Sequence, residues 1–409
     1  MQRIAIVAFA CNPWKGSEEG VGWAWANCVA RCFPNAMIDV FVSQHDYNDC
    51  LIHNVLENLT FRKVPKSRFD IDLRLTVWRA IESGVFKWLY HFAYSLWISR
   101  AAKQISVGCY DYVHLITYVG LAFPLQLDGK SARRLIWGPV GGALYSDISI
   151  FRYLGFASRL RMRLRNIYVK RAYRKDGVMA AIQNSVVIAA GPATQSNIAS
   201  AFSCKPLLRP EVVMDFLGPP LNLCEIDVPK LEILWISPRA TDLKGINLLS
   251  KIVEKLDGGR FRLNVAGGVS PKKFNALKKS NSELTIENWG WVSDQKKEHF
   301  FCRGHIVINT SLIDLTSTAL VECVSRSKPV VCLDINEFQS VVINSFNGFR
   351  IKPNRKVSIP DEYISILDLY FFNRNELVLH SQNCEYVIKE RFSSKQLERF
   401  IKGAYGTFD

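Results

Sequence analysis

Short apolar runs alternate with segments of helical periodicity along the whole chain, a pattern typical of α/β proteins. In the first half, the runs that predict strands are Arg3–Ala8, Met37–Val42, Tyr112–Ile116, Arg134–Trp137 and Ser185–Ala189. In the second half, they are Leu231–Ile236, Arg262–Val265, Leu284–Asn288, His305–Asn309, Pro329–Leu333 and Gly348–Ile351. The helical segments between the runs can supply the crossovers that parallel strands need, so two doubly wound domains are expected.

A breaker cluster, Gly218-Pro219-Pro220-Leu221-Asn222, separates the two series of strands and is suited to a linker. We place the domain boundary there, which gives an N-terminal domain of residues 1–217 and a C-terminal domain of residues 218–393. In doubly wound sheets, ligands bind beyond the carboxyl ends of the strands. The cleft between the two domains is therefore the expected place for a site.

The charge balance indicates an anionic partner. The chain has 52 Lys and Arg against 37 Asp and Glu, a formal net charge of +15, and residues 1–217 hold 26 of the basic and 15 of the acidic residues. Nucleic acid, a membrane surface and phosphorylated ligands all fit such a charge. The eleven scattered cysteines fit free thiols in a reducing cytoplasm. No signal peptide is recognised and no apolar run reaches the length of a membrane span.

One segment concentrates the positive charge. Residues 152–175 hold nine Arg or Lys and no acid, while Phe156, Leu160, Leu164, Ile167 and Tyr168 recur at helical spacing. A basic amphipathic helix of this kind is typical of contact with anionic lipid, so we expect a membrane-surface partner. The aromatic segment 85–98 upstream suits an interface or a buried helix. A solvated helix over the core is the alternative, and nucleic acid is not expected because no binding module accompanies the charge.

Two groups of residues after predicted strands suggest a site for an anion. A glycine-rich turn with Gly20 and Gly22 follows the first strand, where small residues let a backbone approach phosphate. A tight structural turn explains these glycines equally well. Arg239 and Lys244 follow the strand Leu231–Ile236 and precede a helix, which predicts an anion site in the second domain.

Two carboxylates in the second domain suggest recognition of hydroxyl groups. Asp314 follows the strand His305–Asn309, and Glu322 lies two turns into the helix that Thr316–Thr318 can cap. Both side chains could face one cleft, and carboxylates accept strong hydrogen bonds from sugar hydroxyls. The alternative is a surface position for Glu322. Asp70 and Asp72 form a DxD pair that we interpret as solvated surface rather than as a metal site.

The order of these motifs resembles that of retaining glycosyltransferases of family 4, which have the GT-B fold of two Rossmann-like domains facing a central cleft. The resemblance is carried by Arg239-x4-Lys244-Gly245, Gly267-Gly268, Trp289-Gly290-Trp291-Val292 and Asp314-x7-Glu322. Two N-terminal segments, Gly16–Trp23 and Ile136–Gly142, resemble one bacterial branch of that family, which acts in assembly of surface polysaccharides. The resemblance covers almost the whole chain.

The resemblance implies a retaining, hexosyltransferase-type enzyme that moves a sugar from a nucleotide-sugar donor to a lipid-linked saccharide acceptor. The pathway would be that of O-antigen in lipopolysaccharide, capsule or exopolysaccharide, on the inner face of the cytoplasmic membrane. Arg239 and Lys244 would hold the diphosphate, Glu322 the ribose and Asp314 the transferred sugar. Gly20 and Gly22 would let the first helix approach the donor. The donor is a co-substrate, and no cofactor or bound metal is expected. A final helix within 394–409 would pack back on the N-terminal domain.

Some positions depart from the family pattern. Asp314 stands where Glu is usual, Leu315 and Ser317 replace glycines, and the second histidine of a His-x-His is missing after His114, which leaves the backbone of Ile116 as an alternative contact. For His114 we prefer a structural role at the edge of the core. Two other functions stay open, a GT-B nucleotide-sugar epimerase and a non-catalytic membrane-bound scaffold.

Overall fold

The computed structural model describes residues 1–65, 87–125, 127 and 132–406, and within these ranges it leaves out the side chains of residues 87–93 and 294–295. The DxD pair at Asp70 and Asp72 and the first residues of the aromatic segment 85–98 lie outside this description. The described elements form two sheets, each covered by helices.

The N-terminal sheet has seven parallel strands in the order β3-β2-β1-β4-β5-β6-β7. Its strands are β1 (Arg3–Ala8), β2 (Met37–Ser43), β3 (Leu59–Val64), β4 (Tyr110–Leu115), β5 (Ala132–Val140), β6 (Ser185–Ala189) and β7 (Leu207–Leu208). Its helices are α1 (Ser17–Cys32), α2 (Tyr47–His53), α3 (Lys87–Val107), α4 (Phe156–Ala172), α5 (Asp176–Gln183) and α6 (Pro192–Phe202).

The C-terminal sheet has six parallel strands in the order β10-β9-β8-β11-β12-β13. Its strands are β8 (Leu231–Ser237), β9 (Phe261–Gly267), β10 (Thr285–Gly290), β11 (Ile306–Asn309), β12 (Val330–Leu333) and β13 (Gly348–Ile351). The helices that follow the first sheet are α7 (Leu223–Ile226), α8 (Ile246–Val253), α9 (Pro271–Ser280), α10 (Asp294–Arg303), α11 (Thr318–Ser325), α12 (Ile359–Phe372), α13 (Arg374–Arg391) and α14 (Ser394–Gly406).

The central strands are buried on both faces, as expected for parallel sheets covered by helices. All but the first residue of β1 and all of β12 are buried. The chain crosses between the domains twice, after β7 and again between α13 and α14. The last helix returns to the N-terminal domain, where Leu397, Ile401 and Tyr405 join the core beneath α1.

The expected architecture of two doubly wound parallel sheets is confirmed, and all eleven predicted runs are strands. Strands β3 and β7 are absent from the prediction. At the edge of its sheet, β3 carries exposed Arg62 and Lys63 between buried positions, and β7 has only two residues. Helix α1 begins at Ser17 rather than near Val21, and the basic segment is a helix as expected. The limits of the domains at residues 217 and 218 stay a prediction.

Candidate functional site

A cleft of about 470 Å³ opens between the two domains at the carboxyl ends of β8 and β9. Ser237 and Gly267, the last residues of these strands, lie in its wall. The charged side chains that line it come from both domains and are Glu18, Glu211, Lys244, Lys297, Asp314 and Glu322. This is the location expected for a ligand of a doubly wound fold.

Two glycines give the C-terminal wall its shape. Gly245 has φ +75°, and a Cβ there would lie 1.7 Å from the carbonyl oxygen of Thr310. Gly267 has φ +108°, and a Cβ there would lie 1.7 Å from the carbonyl oxygen of Ser237. Both positions therefore need glycine, for the backbone conformation and for the close approach of two loops. The contact at Gly245 holds the Lys244 loop against the loop that follows β11, and the contact at Gly267 joins the ends of β9 and β8.

Lys244 and Asp314 are brought together by these loops. The Lys244 Nζ lies 2.6 Å from the Asp314 Oδ2, and each side chain is about one quarter exposed. Helix α11 begins just beyond, with Ser317 as an N-cap residue whose side chain accepts no capping hydrogen bond. The Thr316 hydroxyl is buried in the same wall, with no hydrogen-bond partner in the described part of the chain. A cation beside an uncapped helix N-terminus forms a site for an anion.

Glu322 lies on α11 and is not part of the Lys244–Asp314 pair. Its Oε1 is 3.1 Å from the Lys297 Nζ and 3.5 Å from the Arg326 Nη1. Trp291 also lines the cleft, with 71% of its surface exposed. An exposed indole and a carboxylate in the same cleft offer a stacking surface and a hydrogen-bond acceptor to a planar ligand with hydroxyl groups.

The other predicted site residues occupy different surroundings. Arg239 is exposed on the loop after β8, next to Pro238 of the cleft wall. A Cβ at Gly20 would meet the Lys15 carbonyl oxygen at 2.7 Å, and one at Gly22 would meet the Ala10 carbonyl oxygen at 2.1 Å. Close packing within the N-terminal domain thus explains these two glycines. Their proposed approach to a donor stays a prediction.

The N-terminal wall contributes two carboxylates that the sequence interpretation did not single out. Burial raises the pKa of Glu18 to about 7, and the negative charge of Glu19 adds to this increase. The hydrogen bond that the Glu18 carboxylate accepts from the Tyr118 N–H, at 3.3 Å, lowers the pKa in part. Burial raises the pKa of Glu211 well above its usual range, with added repulsion from Glu18 and Asp314. At neutral pH this wall is therefore less negative than its composition indicates.

Glu18 lies within the glycine-rich turn that the sequence interpretation had singled out, so its presence in the cleft could have been expected. Glu211 and Lys297 carried no such signal. Glu211 lies on the first crossing between the domains, and Lys297 comes from a helix separated from Glu322 by strand β11. Their place in the cleft follows only from the tertiary structure.

His114 is a core residue. Its ring is fully buried, with Nδ1 2.8 Å from the Tyr405 hydroxyl and Nε2 2.8 Å from the Gly138 carbonyl oxygen. Since the carbonyl can only accept, Nε2 donates and Nδ1 accepts from Tyr405. Burial lowers the pKa of His114 to about 4, so the ring is neutral. It ties strands β4 and β5 to helix α14, as the structural interpretation expected.

The two walls touch at Leu315 and Gly141. A Cβ at Gly141 would lie 2.6 Å from the Leu315 Cδ1, so the leucine side chain occupies the space that the glycine leaves. Leu315 comes from the loop before α11 and Gly141 from the segment after β5. The departure from glycine at position 315 therefore narrows the cleft by a contact between the domains.

Within the described ranges, no three His, Cys, Asp or Glu side chains are grouped as metal ligands would be. None of the described helices combines the length and the apolar character needed to cross a bilayer.

Known structures with the same architecture cover nearly the whole chain. Lipopolysaccharide outer core galactosyltransferase WaaB in its apo form has a TM-score of 0.63 at 13% identity, covering 99% of both chains. Sucrose-phosphate synthase from Thermosynechococcus elongatus has a TM-score of 0.62 at 13% identity, covering 100% of this chain and 99% of that one. HepE of Anabaena in complex with UDP-glucose has a TM-score of 0.57 at 13% identity, covering 100% of both chains.

The match to a known sequence family lies in the C-terminal half of the chain. Residues 227–377 match the family described as Glycosyl transferases group 1. No curated protein matches the chain by sequence. The matched residues include Lys244, Asp314 and Glu322 of the cleft. The chain therefore has the GT-B fold and carries a Glycosyl transferases group 1 domain in its C-terminal half.

Proposed function

We propose that the protein is a retaining glycosyltransferase that moves a hexose from a nucleotide-sugar donor to a lipid-linked saccharide acceptor in assembly of a bacterial surface polysaccharide. The observation that carries this proposal is the convergence of Lys244, the N-terminus of α11 and Glu322 in one cleft. A phosphate can bind to Lys244 and to the N–H groups at the start of α11, and ribose hydroxyls can donate hydrogen bonds to Glu322. The UDP-glucose in the HepE structure supports the same class of donor.

The donor would lie along the C-terminal wall. Its base would stack near Trp291, and its ribose hydroxyls would donate hydrogen bonds to Glu322. Its diphosphate would replace Asp314 as the ion-pair partner of Lys244. Arg239 would swing in from the adjoining loop to the same diphosphate. Asp314, released from its ion pair, would accept hydrogen bonds from the transferred sugar. The departing nucleotide gains negative charge, which preorganised cations and helix N–H groups stabilise without a bound metal.

The donor site can be tested by ligand-observed NMR against UDP-, GDP-, ADP- and dTDP-sugars. We expect one nucleotide class to bind, and binding to be lost in the Arg239→Ala/Lys244→Ala double variant. A matched control is Lys251→Ala, because Lys251 pairs with Glu254 on the surface of the same domain. Absence of binding across the panel, on folded protein, would contradict the proposal.

Retention and metal independence need a separate measurement. We expect NMR of the product to show the anomeric configuration of the donor, and activity to persist in EDTA. The three carboxylates Glu18, Glu211 and Asp314 in one cleft favour a second candidate, a nucleotide-sugar epimerase, because epimerisation requires acid–base groups beside the sugar. An epimerase would convert the donor without an acceptor, which the same NMR experiment detects.

We propose that helix α4 holds the enzyme on an anionic membrane, where a lipid-linked acceptor would be found. Its apolar stripe is exposed, with Phe156 at 84%, and includes Leu160, Leu164, Ile167 and Tyr168. On a helical wheel the stripe is flanked on one side by Arg159, Arg163 and Lys170, all exposed. Such a face can enter the headgroup region while the cations meet anionic lipid.

The start of α4 also lies beside the proposed donor site. The Asp242 carboxylate of the C-terminal domain accepts hydrogen bonds from the Gly155 N–H at 3.0 Å and the Ser158 hydroxyl at 3.2 Å. Asp242 is two residues from Lys244. An acceptor held in a membrane against α4 would therefore reach the mouth of the cleft.

Vesicle flotation with phosphatidylglycerol-containing liposomes tests the membrane surface. The triple variant Arg163→Gln/Lys170→Gln/Arg171→Gln, which changes three exposed residues of α4, should reduce binding about tenfold or more, since each cation near anionic lipid contributes about 1 kcal/mol. The matched control Lys272→Gln/Lys278→Gln/Lys279→Gln removes three exposed charges from α9 and should bind like the wild type. Arg159 and Arg165 are left unchanged because they donate to the carbonyl oxygens of Leu154 and Leu144. Equal loss in both variants would contradict a specific role of α4.

A further inference from the structure

A second cavity, of about 710 Å³, lies where the chain passes from one domain to the other. Arg209, which follows β7, lines it at the first crossing, and Arg391, the last residue of α13, lines it at the second. The two crossings are joined by a hydrogen bond of 2.9 Å from the Met214 N–H to the Phe392 carbonyl oxygen. The walls of this crossing cavity therefore belong to both domains.

The crossing cavity is strongly basic. Four arginines line it, against one carboxylate, Glu390. Arg209 and Arg391 lie at the crossings, Arg350 comes from β13, and Arg399 from α14. The Glu390 Oε2 accepts a hydrogen bond of 3.1 Å from the Gln396 side chain. An excess of cations around one space attracts an anionic ligand.

Arg209 is the most informative member because only 4% of its surface is exposed. Its Nη1 donates to the Arg391 carbonyl oxygen at 2.9 Å and its Nη2 to the Ser393 carbonyl oxygen at 3.3 Å. Its Nε is buried with no hydrogen-bond partner, and no carboxylate within the described ranges forms an ion pair with it. A buried cation without a counter-charge is costly unless a ligand supplies one.

The neighbouring groups repeat this pattern. The Arg391 Nη1 donates to the carbonyl oxygens of Gln339 and Ser340, both at 3.1 Å, and burial lowers the pKa of Arg391 with help from the charge of Arg350. The Arg350 Nε is buried without a partner, although its Nη1 pairs with Asp334. The Ser340 hydroxyl, in a residue only 3% exposed, also has no partner among the described residues. Neutral carbonyls thus hold the guanidinium groups of Arg209 and Arg391 in place, and among the described residues no carboxylate pairs with either of them.

We propose that the crossing cavity binds the phosphate of a small phosphorylated molecule and that this ligand bridges the two domains. Guanidinium groups grip phosphate oxygens in pairs, and a preorganised set loses little entropy when it does so. The cavity is larger than a phosphate ion needs, and the side chains of Ile343 and Phe400 in its wall offer apolar surface to the rest of the ligand. The site lies apart from the charged side chains of the cleft and does not depend on the proposed transferase activity.

Isothermal titration of the full chain with pyrophosphate tests the proposal. The Arg239→Ala/Lys244→Ala background removes both cations proposed for the donor site, so that the heat reports the crossing cavity. Arg399→Gln should weaken pyrophosphate binding roughly tenfold, because one charged hydrogen-bonding group is lost. Arg399 is exposed and can be changed without disturbing the fold, whereas Arg209→Gln tests the buried group and is interpreted only if the variant is folded. Arg355→Gln, an exposed arginine outside the cavity, is the matched control and should bind like its parent.

Two results would overturn the proposal. One is the absence of pyrophosphate binding in the Arg239→Ala/Lys244→Ala protein, and the other is binding that Arg399→Gln leaves as tight as Arg355→Gln does. Since the measurement uses neither a sugar donor nor turnover, it can fail while the glycosyltransferase proposal holds, and the reverse is also true. Titrations with glucose 1-phosphate and with dihexanoyl phosphatidic acid then distinguish a sugar phosphate from a lipid headgroup, and whichever of the two binds more tightly identifies the source.

Discussion

The two walls of the cleft carry charge in different ways. On the C-terminal wall, each carboxylate already faces a lysine, as Lys244 faces Asp314 and Lys297 faces Glu322. On the N-terminal wall, Glu18 and Glu211 form no ion pair among the described residues, and burial raises the pKa of each. On the C-terminal wall, an anionic ligand can therefore replace a carboxylate as the partner of a lysine. On the N-terminal wall, an anion is tolerated nearby only while the carboxyl groups stay protonated.

The difference also concerns rigidity. The C-terminal wall depends on positive-φ glycines pressed against neighbouring carbonyls, which fix the loops that carry the cations. In the N-terminal domain, next to the Gly141 that contacts Leu315, Gly142 also has a positive φ of +71°, but a Cβ there would have no atom within 4 Å. Gly245 and Gly267 should therefore tolerate substitution far less than Gly142.

The largest expected effect comes from Gly245→Ala. A Cβ at this position would lie 1.7 Å from the Thr310 carbonyl oxygen, so the Lys244 loop must move, and the left-handed φ adds about 1 kcal/mol of strain. We expect a loss of stability above roughly 3 kcal/mol, seen as a large drop in the thermal midpoint. Gly142→Ala is the control, because it has a similar φ and open space, and it should lose only about 1 kcal/mol. Equal losses would mean that packing does not distinguish the walls.

Lys244→Ala tests the exchange of partners on the C-terminal wall. Removal of a cation that stabilises a departing diphosphate should lower kcat/KM by about 10² to 10³. The thermal midpoint should change little, since the partly exposed Lys244–Asp314 pair contributes about 1 kcal/mol or less. Lys251→Ala, which breaks an exposed pair with Glu254, should leave both quantities near the wild-type values. A fall in stability that matches the fall in activity would assign Lys244 a structural role instead.

The strands were predictable because a parallel sheet covered on both faces requires continuous apolar runs, and few other segments of this chain have them. The edge strand β3 was not predicted because it is not a continuous apolar run. Its exposed positions include the charged residues Arg62 and Lys63. Lys244, Asp314 and Glu322 could be grouped because each follows a strand whose carboxyl end faces the same cleft. The contact of Leu315 with Gly141 and the burial of Glu211 depend on how the two domains meet, which no local pattern encodes.

Glu18→Gln tests the carboxyl groups of the N-terminal wall. Because the folded pKa of Glu18, about 7, lies above its usual value of 4.5, folding favours the protonated form. This contribution is complete below pH 4.5 and is lost as the pH rises through 7. The stability of the variant relative to the wild type should therefore rise between these pH values, by about 3 kcal/mol at pH 7. Thermal midpoints from pH 5 to 8 measure this gain.

The control for Glu18→Gln is Glu19→Gln, which removes a charge one residue away from a side chain outside the cleft lining. If the midpoints of Glu18→Gln and wild type run parallel across the whole range, the carboxyl group is ionised throughout, and the contrast between the walls disappears. If the thermal midpoints of Glu19→Gln also rise above those of the wild type as the pH increases from 5 to 8, the effect belongs to the charge of the turn and not to the cleft.

The smallest expected effect concerns the point where the walls meet. Gly141→Ala would bring a methyl group to about the position 2.6 Å from the Leu315 Cδ1, so the leucine must rotate or the domains must part. Because the far end of a flexible side chain can yield, we expect a loss of about 1 kcal/mol, near the low end for overpacking. In a Leu315→Ala background the same methyl group finds space, so the loss should vanish. A double-mutant cycle on thermal midpoints isolates this coupling from the separate cost of each change. Additive effects would mean that the domains do not keep this contact in solution, and the narrowing of the cleft would then depend on the ligand that draws the walls together.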